Sequence, residues 1–248
     1  MLRMLGAFLC CAVAASAAAS DAAASPEKAN ASVQELIPWL LDENRQLSGI
    51  AFSEVILATT GKRVLSFDLQ SESDQRLIKQ ISGALDEVTA RMNAPESPVQ
   101  QVGRINEVSS HVENLLRERL SAIAGLRCDF PRTSEGRVQR SGYPDLRIVD
   151  EPTQRVLYLD PKLYAAGSRE SSFRTFYFEP KIATNKVTDD AVHLIVGFEH
   201  APKNGGRWNF TRWDLVDLAH FKVRLKAEFQ GSNRDIYRPG AVVATSAK

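Results

Sequence analysis

The stretch Gly142-Tyr143-Pro144-Asp145-Leu146-Arg147-Ile148-Val149-Asp150-Glu151-Pro152-Thr153-Gln154-Arg155-Val156-Leu157-Tyr158-Leu159-Asp160-Pro161-Lys162 reads as two strands and the turn between them. Residues 146–149 and 156–159 are short aliphatic runs, and the polar, Pro-containing break 150–154 separates them, which is the pattern of an antiparallel hairpin. Side chains alternate faces along a strand, so Val156, Tyr158, Asp160 and Lys162 share one face while Leu157 and Leu159 take the other. Asp160 and Lys162 are thereby neighbours. Asp145 opens the first strand and lies across the ladder from the end of the second, where cross-strand side chains approach closely. Two carboxylates and one ammonium are predicted to converge at one end of the hairpin.

A pair of aspartates offers hard oxygen ligands of the kind Mg2+ prefers, with several water positions left open. A cation held that way lowers the pKa of a water and stabilises charge developing on a phosphate. Lys162 is placed to orient or help deprotonate that water, or to neutralise the phosphate as it is attacked. Together these groups suit phosphodiester hydrolysis. The competing reading is a surface hairpin whose charges are solvated. Against it, Pro-Asp occurs once in the chain and both halves of the pattern fall on predicted strands.

These residues resemble the motif of the PD-(D/E)xK nuclease superfamily, to which many restriction endonucleases belong. The resemblance implies that Asp145 and Asp160, with fourteen residues between them, bind the metal. It further implies that Lys162 assists the attacking water and that the Pro161 backbone carbonyl is another ligand. The implied cofactor is Mg2+, with Mn2+ as a substitute; the implied partner is nucleic acid, DNA ahead of RNA, and a homodimer is compatible with the resemblance. The implied fold is α/β, a restriction endonuclease-like core with a mixed central β-sheet flanked by helices, here preceded by an N-terminal helical extension. Members of the superfamily usually place a helix before the hairpin, often with a glutamate that completes the metal site. Glu107 and Glu113 are the candidates, and for either one a solvent-facing helical charge is the alternative.

Upstream of the hairpin, Ile105, Val108, Val112, Leu115, Leu116, Leu120 and Ile123 mark an amphipathic helix over 102–124. Residues 126–130 follow as a strand. The polar loop 131–141 carries Arg132, Arg137 and Arg140 into Gly142, either to meet phosphates or simply as a solvated loop. A second helix is predicted over 71–92 from Leu77, Ile78, Ile81, Leu85 and Val88, stopped by Asn93-Ala94-Pro95, with 95–99 as a linker. Residues 52–57 and 64–69 flank Thr59-Thr60-Gly61-Lys62, and periodicity does not separate a hairpin from a helix followed by a strand. Residues 33–44 have helical spacing.

Downstream, 173–178 is an aromatic strand candidate ending in Glu179-Pro180-Lys181, a second acid-Pro-Lys and a rival to Asp160-Pro161-Lys162. Pairing Asp145 with Glu179 would require skipping a strand, so Asp160 is favoured. Arg140, Arg174, Lys181 and Lys186 are candidates for contacts to a nucleic-acid backbone. Residues 191–198 read as a buried central strand with His193 as a core histidine. Residues 208–218 suggest another strand, and 221–229 fits either a strand with one basic face or an amphipathic helix.

At the N-terminus, Met1-Leu2-Arg3, the apolar run 4–15 and the small residues near Ala17 and Ala19 read as a secretory signal peptide. That predicts a secreted or periplasmic protein with no stable membrane association once matured; a misassigned start codon would instead leave it cytoplasmic. The predicted organisation is 1–19 leader, 20–31 flexible lead-in, 32–99 mostly helical extension, 100–238 nuclease-like core and 239–248 tail. Cys128 alone lies outside the leader, which excludes an internal disulfide and a cysteine zinc cluster. The net charge of +1 carries no signal for nucleic acid, although bases outnumber acids over 201–238. Secretion keeps open a non-catalytic binding or structural protein on the same fold. A glycosidase built on an acid pair leaves Lys162 without a role.

Overall fold

The computed structural model describes residues 26–42, 48–173, 175–226 and 228–245. Two units result. Leu47–Lys226 carries the sheet, and the other unit contains helix α1 (Pro26–Leu41) and a short C-terminal helix, Asn233–Ile236. The leader reading at 1–19 lies outside the described residues.

Within Leu47–Lys226 the main sheet runs β2 (Val64–Leu65), β6 (Ala191–His200), β5 (Arg155–Ala165), β4 (Leu146–Asp150), β3 (Leu126–Asp129), and β7 (Phe210–Asp217) also pairs with β6. The pairs β3–β4, β4–β5 and β6–β7 are antiparallel, while β5–β6 and β2–β6 are parallel. The sheet is therefore mixed, as expected. The quoted stretch forms the β4–β5 hairpin, with Leu146 opposite Leu159 and Asp150 opposite Arg155. At the turn, the fully buried Asp150 accepts two hydrogen bonds of 2.9 and 2.8 Å from Arg76.

Alternation along β5 sends its side chains into two different cores. Leu157 and Leu159 join Leu194, Val196 and Phe198 of β6 against α3 (Glu72–Asn93) and α4 (Ile105–Ser121), which contribute Leu77, Ile81, Leu85, Val108, Val112 and Leu116. Val156 and Tyr158 face the other way, onto Phe52 and Ile56 of α2 (Phe52–Thr60). Each such aliphatic side chain, once fully buried, contributes about 2 kcal/mol. The segment 95–99 is not an open linker. Ser97 caps the 3-10 turn Pro98–Gln101, and Val99 is buried in the α3–α4 core, so residue 99 falls inside the Leu47–Lys226 unit.

The ambiguous segment after residue 51 resolves as a helix followed by a strand, α2 then β2. Among the described residues of 173–178, where a strand was expected, none is in a strand. Phe176 and Phe178 instead turn their rings edge-on to Phe52, at 5.3 and 5.8 Å between centroids, inside the irregular 166–190 connection. Among the described residues of 221–229 only β8 (Lys222–Arg224) is a strand, and it pairs with β1 (Ser48–Ala51) rather than with the main sheet. Among the described residues no helix is long and apolar enough to cross a membrane.

Candidate active site

Since Leu146 is opposite Leu159, one step further out the register places Asp145 against Asp160 at the open end of the hairpin. Asp160 is buried, and the Lys162 ammonium forms an ion pair with its Oδ2. That same oxygen is sealed from solvent and makes no hydrogen bond. Pro161, which has no N–H to give a ladder, sits where β4 has already ended, so no bond to β4 is lost. Asp145, Pro161 and Lys162 line a cleft of about 320 Å³ together with Ile105, Asn106 and Ser109 of α4.

Burial and the adjoining Asp160 charge push the Asp145 carboxyl up to about 8, Lys162 pulls it back, and the hydrogen bond to Asp160 and the charge of Glu113 add to the rise. Two carboxyls this close do not both ionise readily unless positive charge enters between them. The donor set suits a hard divalent cation: two facing carboxyls, one of them raised, with the Lys162 ammonium the present partner of the buried Asp160 Oδ2.

The two helix glutamates separate. Glu113 is largely buried, close enough to raise Asp145, and paired with Arg140 at 2.7 Å. Glu107 is exposed on α4. Helical spacing explains the difference, because Asn106, Ser109 and Glu113 recur at three and four along one face while Glu107 is turned about 100° from Asn106. The rival spelling Glu179-Pro180-Lys181 is a surface pair, Lys181 Nζ to Glu179 at 2.9 Å with both side chains half exposed.

The candidates for phosphate contact fare differently. Lys181 is exposed. Arg140 stacks over the Phe130 ring at 4.3 Å and is held by Glu113. Arg174 lies outside the described residues. Lys186 does not reach the surface: it is 2% exposed, and its ammonium donates to the backbone carbonyls of Gln139 and Gly142. Burial lowers its pKa, opposed by Asp145, Asp160 and Glu113, which locates it beside the acids. His193, on β6, is fully buried as a core histidine, with Nδ1 2.6 Å from the Tyr143 hydroxyl and a pKa pushed down to about 4 by burial. Cys128 is buried in the α3–α4 core, and burial raises its thiol to about 12, which rules it out as a nucleophile.

Asn106, Ser109 and Tyr143 are not among the residues expected from the sequence, and Lys186, expected at the nucleic-acid backbone, is instead buried beneath the loop. Tyr143 carried a signal, being the large apolar residue next to Pro144-Asp145. The burial of Lys186 had no signal, because nothing in an isolated lysine announces that the chain will fold over it.

A profile of the type II restriction enzyme MjaV family matches residues 45–240. The chain belongs to this family. The type II restriction enzyme MjaV of Methanocaldococcus jannaschii is 29% identical over 204 residues, which cover 78% of this chain and 87% of that one. Membership in the MjaV family bears out the resemblance to restriction endonuclease-like nucleases. It also corrects the secreted or periplasmic location, since a type II restriction enzyme points to the cytoplasm, where the DNA is. With it goes the secretion on which the non-catalytic binding or structural alternative was based.

Proposed function

We propose that this MjaV-family chain is a DNA endonuclease dependent on a divalent cation, with its centre at Asp145, Asp160 and Lys162. The observation that carries the reading is the raised Asp145 acid, which lines an open cleft with Pro161 and Lys162 and faces the buried, Lys162-paired Asp160. Asp145 and Asp160, with the Pro161 carbonyl, would hold Mg2+ or Mn2+. When bound, the cation supplies Lewis acidity for the hydrolytic water and for the phosphate.

The chain's own groups do the rest. Lys162 keeps positive charge beside Asp160 and favours the deprotonated water or the developing phosphate charge. Glu113 is the helix glutamate this reading includes, and Asn106 and Ser109 supply polar groups along the cleft wall. The exposed Lys181 is offered to the DNA backbone; Lys186 belongs to the support of the site.

Supercoiled plasmid incubated with the chain and Mg2+, beside an EDTA control, tests the reading. Conversion to nicked or linear forms that EDTA abolishes supports it. A folded chain that leaves double-stranded and single-stranded DNA intact with both Mg2+ and Mn2+ overturns it.

A further inference from the structure

The residues just ahead of Asp145 are held from two independent points. Lys186 Nζ lies 2.5 Å from the carbonyl oxygen of Gly142 and 3.2 Å from that of Gln139. The Tyr143 hydroxyl lies 2.6 Å from Nδ1 of His193, and the two rings stack with their planes 15° apart. Edge-on contacts from Phe52, Phe176 and Phe178 fix the remaining sides of the Tyr143 ring. Pro144 is itself buried.

Both grips originate on one short stretch of chain. Lys186 immediately precedes the buried Val187, and His193 is the third residue of β6, directly opposite Tyr158 on β5. Tyr158 is two residues before Asp160 on the same face. The frame that fixes Tyr143 is thus the same pair of strands that presents Asp160, which ties the placement of one acid to that of the other.

We propose that Lys186 and the Tyr143–His193 pair are positioning residues that hold Asp145 opposite Asp160 and thereby set the site's affinity for a divalent cation. The proposal rests on the reading of Asp145 and Asp160 as the cation ligands. A buried ammonium spent on two backbone carbonyls fixes the path of the loop, because carbonyls held this way cannot swing with it. The nearby carboxyls of Asp145, Asp160 and Glu113 make that buried position tolerable for a lysine. Outer groups that orient metal ligands typically change metal affinity about 10- to 100-fold when removed.

The test is calorimetric titration of the full chain with Mn2+ at fixed pH, comparing wild type, Asp145→Asn, Lys186→Met and Tyr143→Phe. Tyr143→Phe keeps the ring and loses only the hydroxyl, so it carries the test if Lys186→Met does not fold. The expected result is binding by wild type, loss of binding in Asp145→Asn, and about tenfold weaker binding in Lys186→Met and Tyr143→Phe. In plasmid cleavage at subsaturating Mn2+ the same two variants lower kcat while KM for DNA stays within about threefold. If wild type and Asp145→Asn bind Mn2+ alike, the site reading fails and the positioning role falls with it. If Asp145→Asn abolishes binding while the folded positioning variants bind as wild type does, with only the melting temperature lowered, the site reading stands and the positioning role is overturned.

Discussion

Asp145 stands against Asp160 at the open end of the β4–β5 hairpin, and burial with the facing charge holds the Asp145 acid up to about 8. The folded, metal-free chain thus keeps a proton there that the unfolded chain gives up near 3.8. Its stability falls as pH climbs between those two values. A divalent cation competes with that proton, so the rise in melting temperature on adding Mg2+ is expected to be larger near about pH 8.5 than near about pH 6. Thermal melts across this range check it. Asp145→Asn should melt higher than wild type without metal and lose the Mg2+ effect.

His193 gives the opposite sign. Its folded pKa of about 4 lies below the usual 6.5, so the unfolded chain takes up the proton first as pH falls. The His193 contribution is full above about 6.5 and is lost between there and about 4, at about 1.4 kcal/mol per pH unit. Asp145 contributes an equal and opposite slope over the same window, so the urea midpoint of Asp145→Asn should fall as pH is lowered from about 6.5 to about 4, and fall less steeply when His193→Gln is added to it.

The β4–β5 turn depends on α3. Asp150 is fully buried and receives both of its long-range hydrogen bonds from Arg76, so Arg76→Ala strands a buried carboxylate. The expected loss is about 3 kcal/mol. Arg91→Ala breaks an ion pair with Glu118 whose members are both well exposed, and should cost about 1 kcal/mol or less. Chemical denaturation of the two variants separates them.

The hairpin was legible because period two is read directly from side chains: Val156 and Tyr158 enter one core and Leu157 and Leu159 the other, as the alternation requires. The pairing of Asp145 with Asp160 follows from the same register. The 166–190 connection was not legible, because Phe176 and Phe178 look like a strand in isolation and only the presence of Phe52, more than a hundred positions earlier, makes ring packing the better use of them. Glu113 could not be told from Glu107 until the helix phase was set by Asn106 and Ser109 against the hairpin. The apolar leader pattern described composition correctly and location wrongly, since local hydrophobicity does not report which DNA-acting family the rest of the chain belongs to.

Helix α3 is part of the core that carries the site. Leu77, Ile81, Leu85 and Val88 cover the same cluster as Val108, Val112 and Leu116. A chain begun at residue 100 leaves that face of α4 and the sheet bare and is expected to lack a cooperative thermal transition. A sharp melt from such a fragment would show that residues 47–99 are dispensable for folding.

The most direct test of the central claim compares plasmid cleavage by wild type, Asp160→Asn and Lys162→Met in Mg2+, with DNA binding measured in parallel by gel shift. Wild type is expected to cleave, and both variants to bind DNA while losing about a hundredfold or more of the cleavage rate. Cleavage that persists in both variants at the wild-type rate would contradict it and move the catalytic centre away from this hairpin.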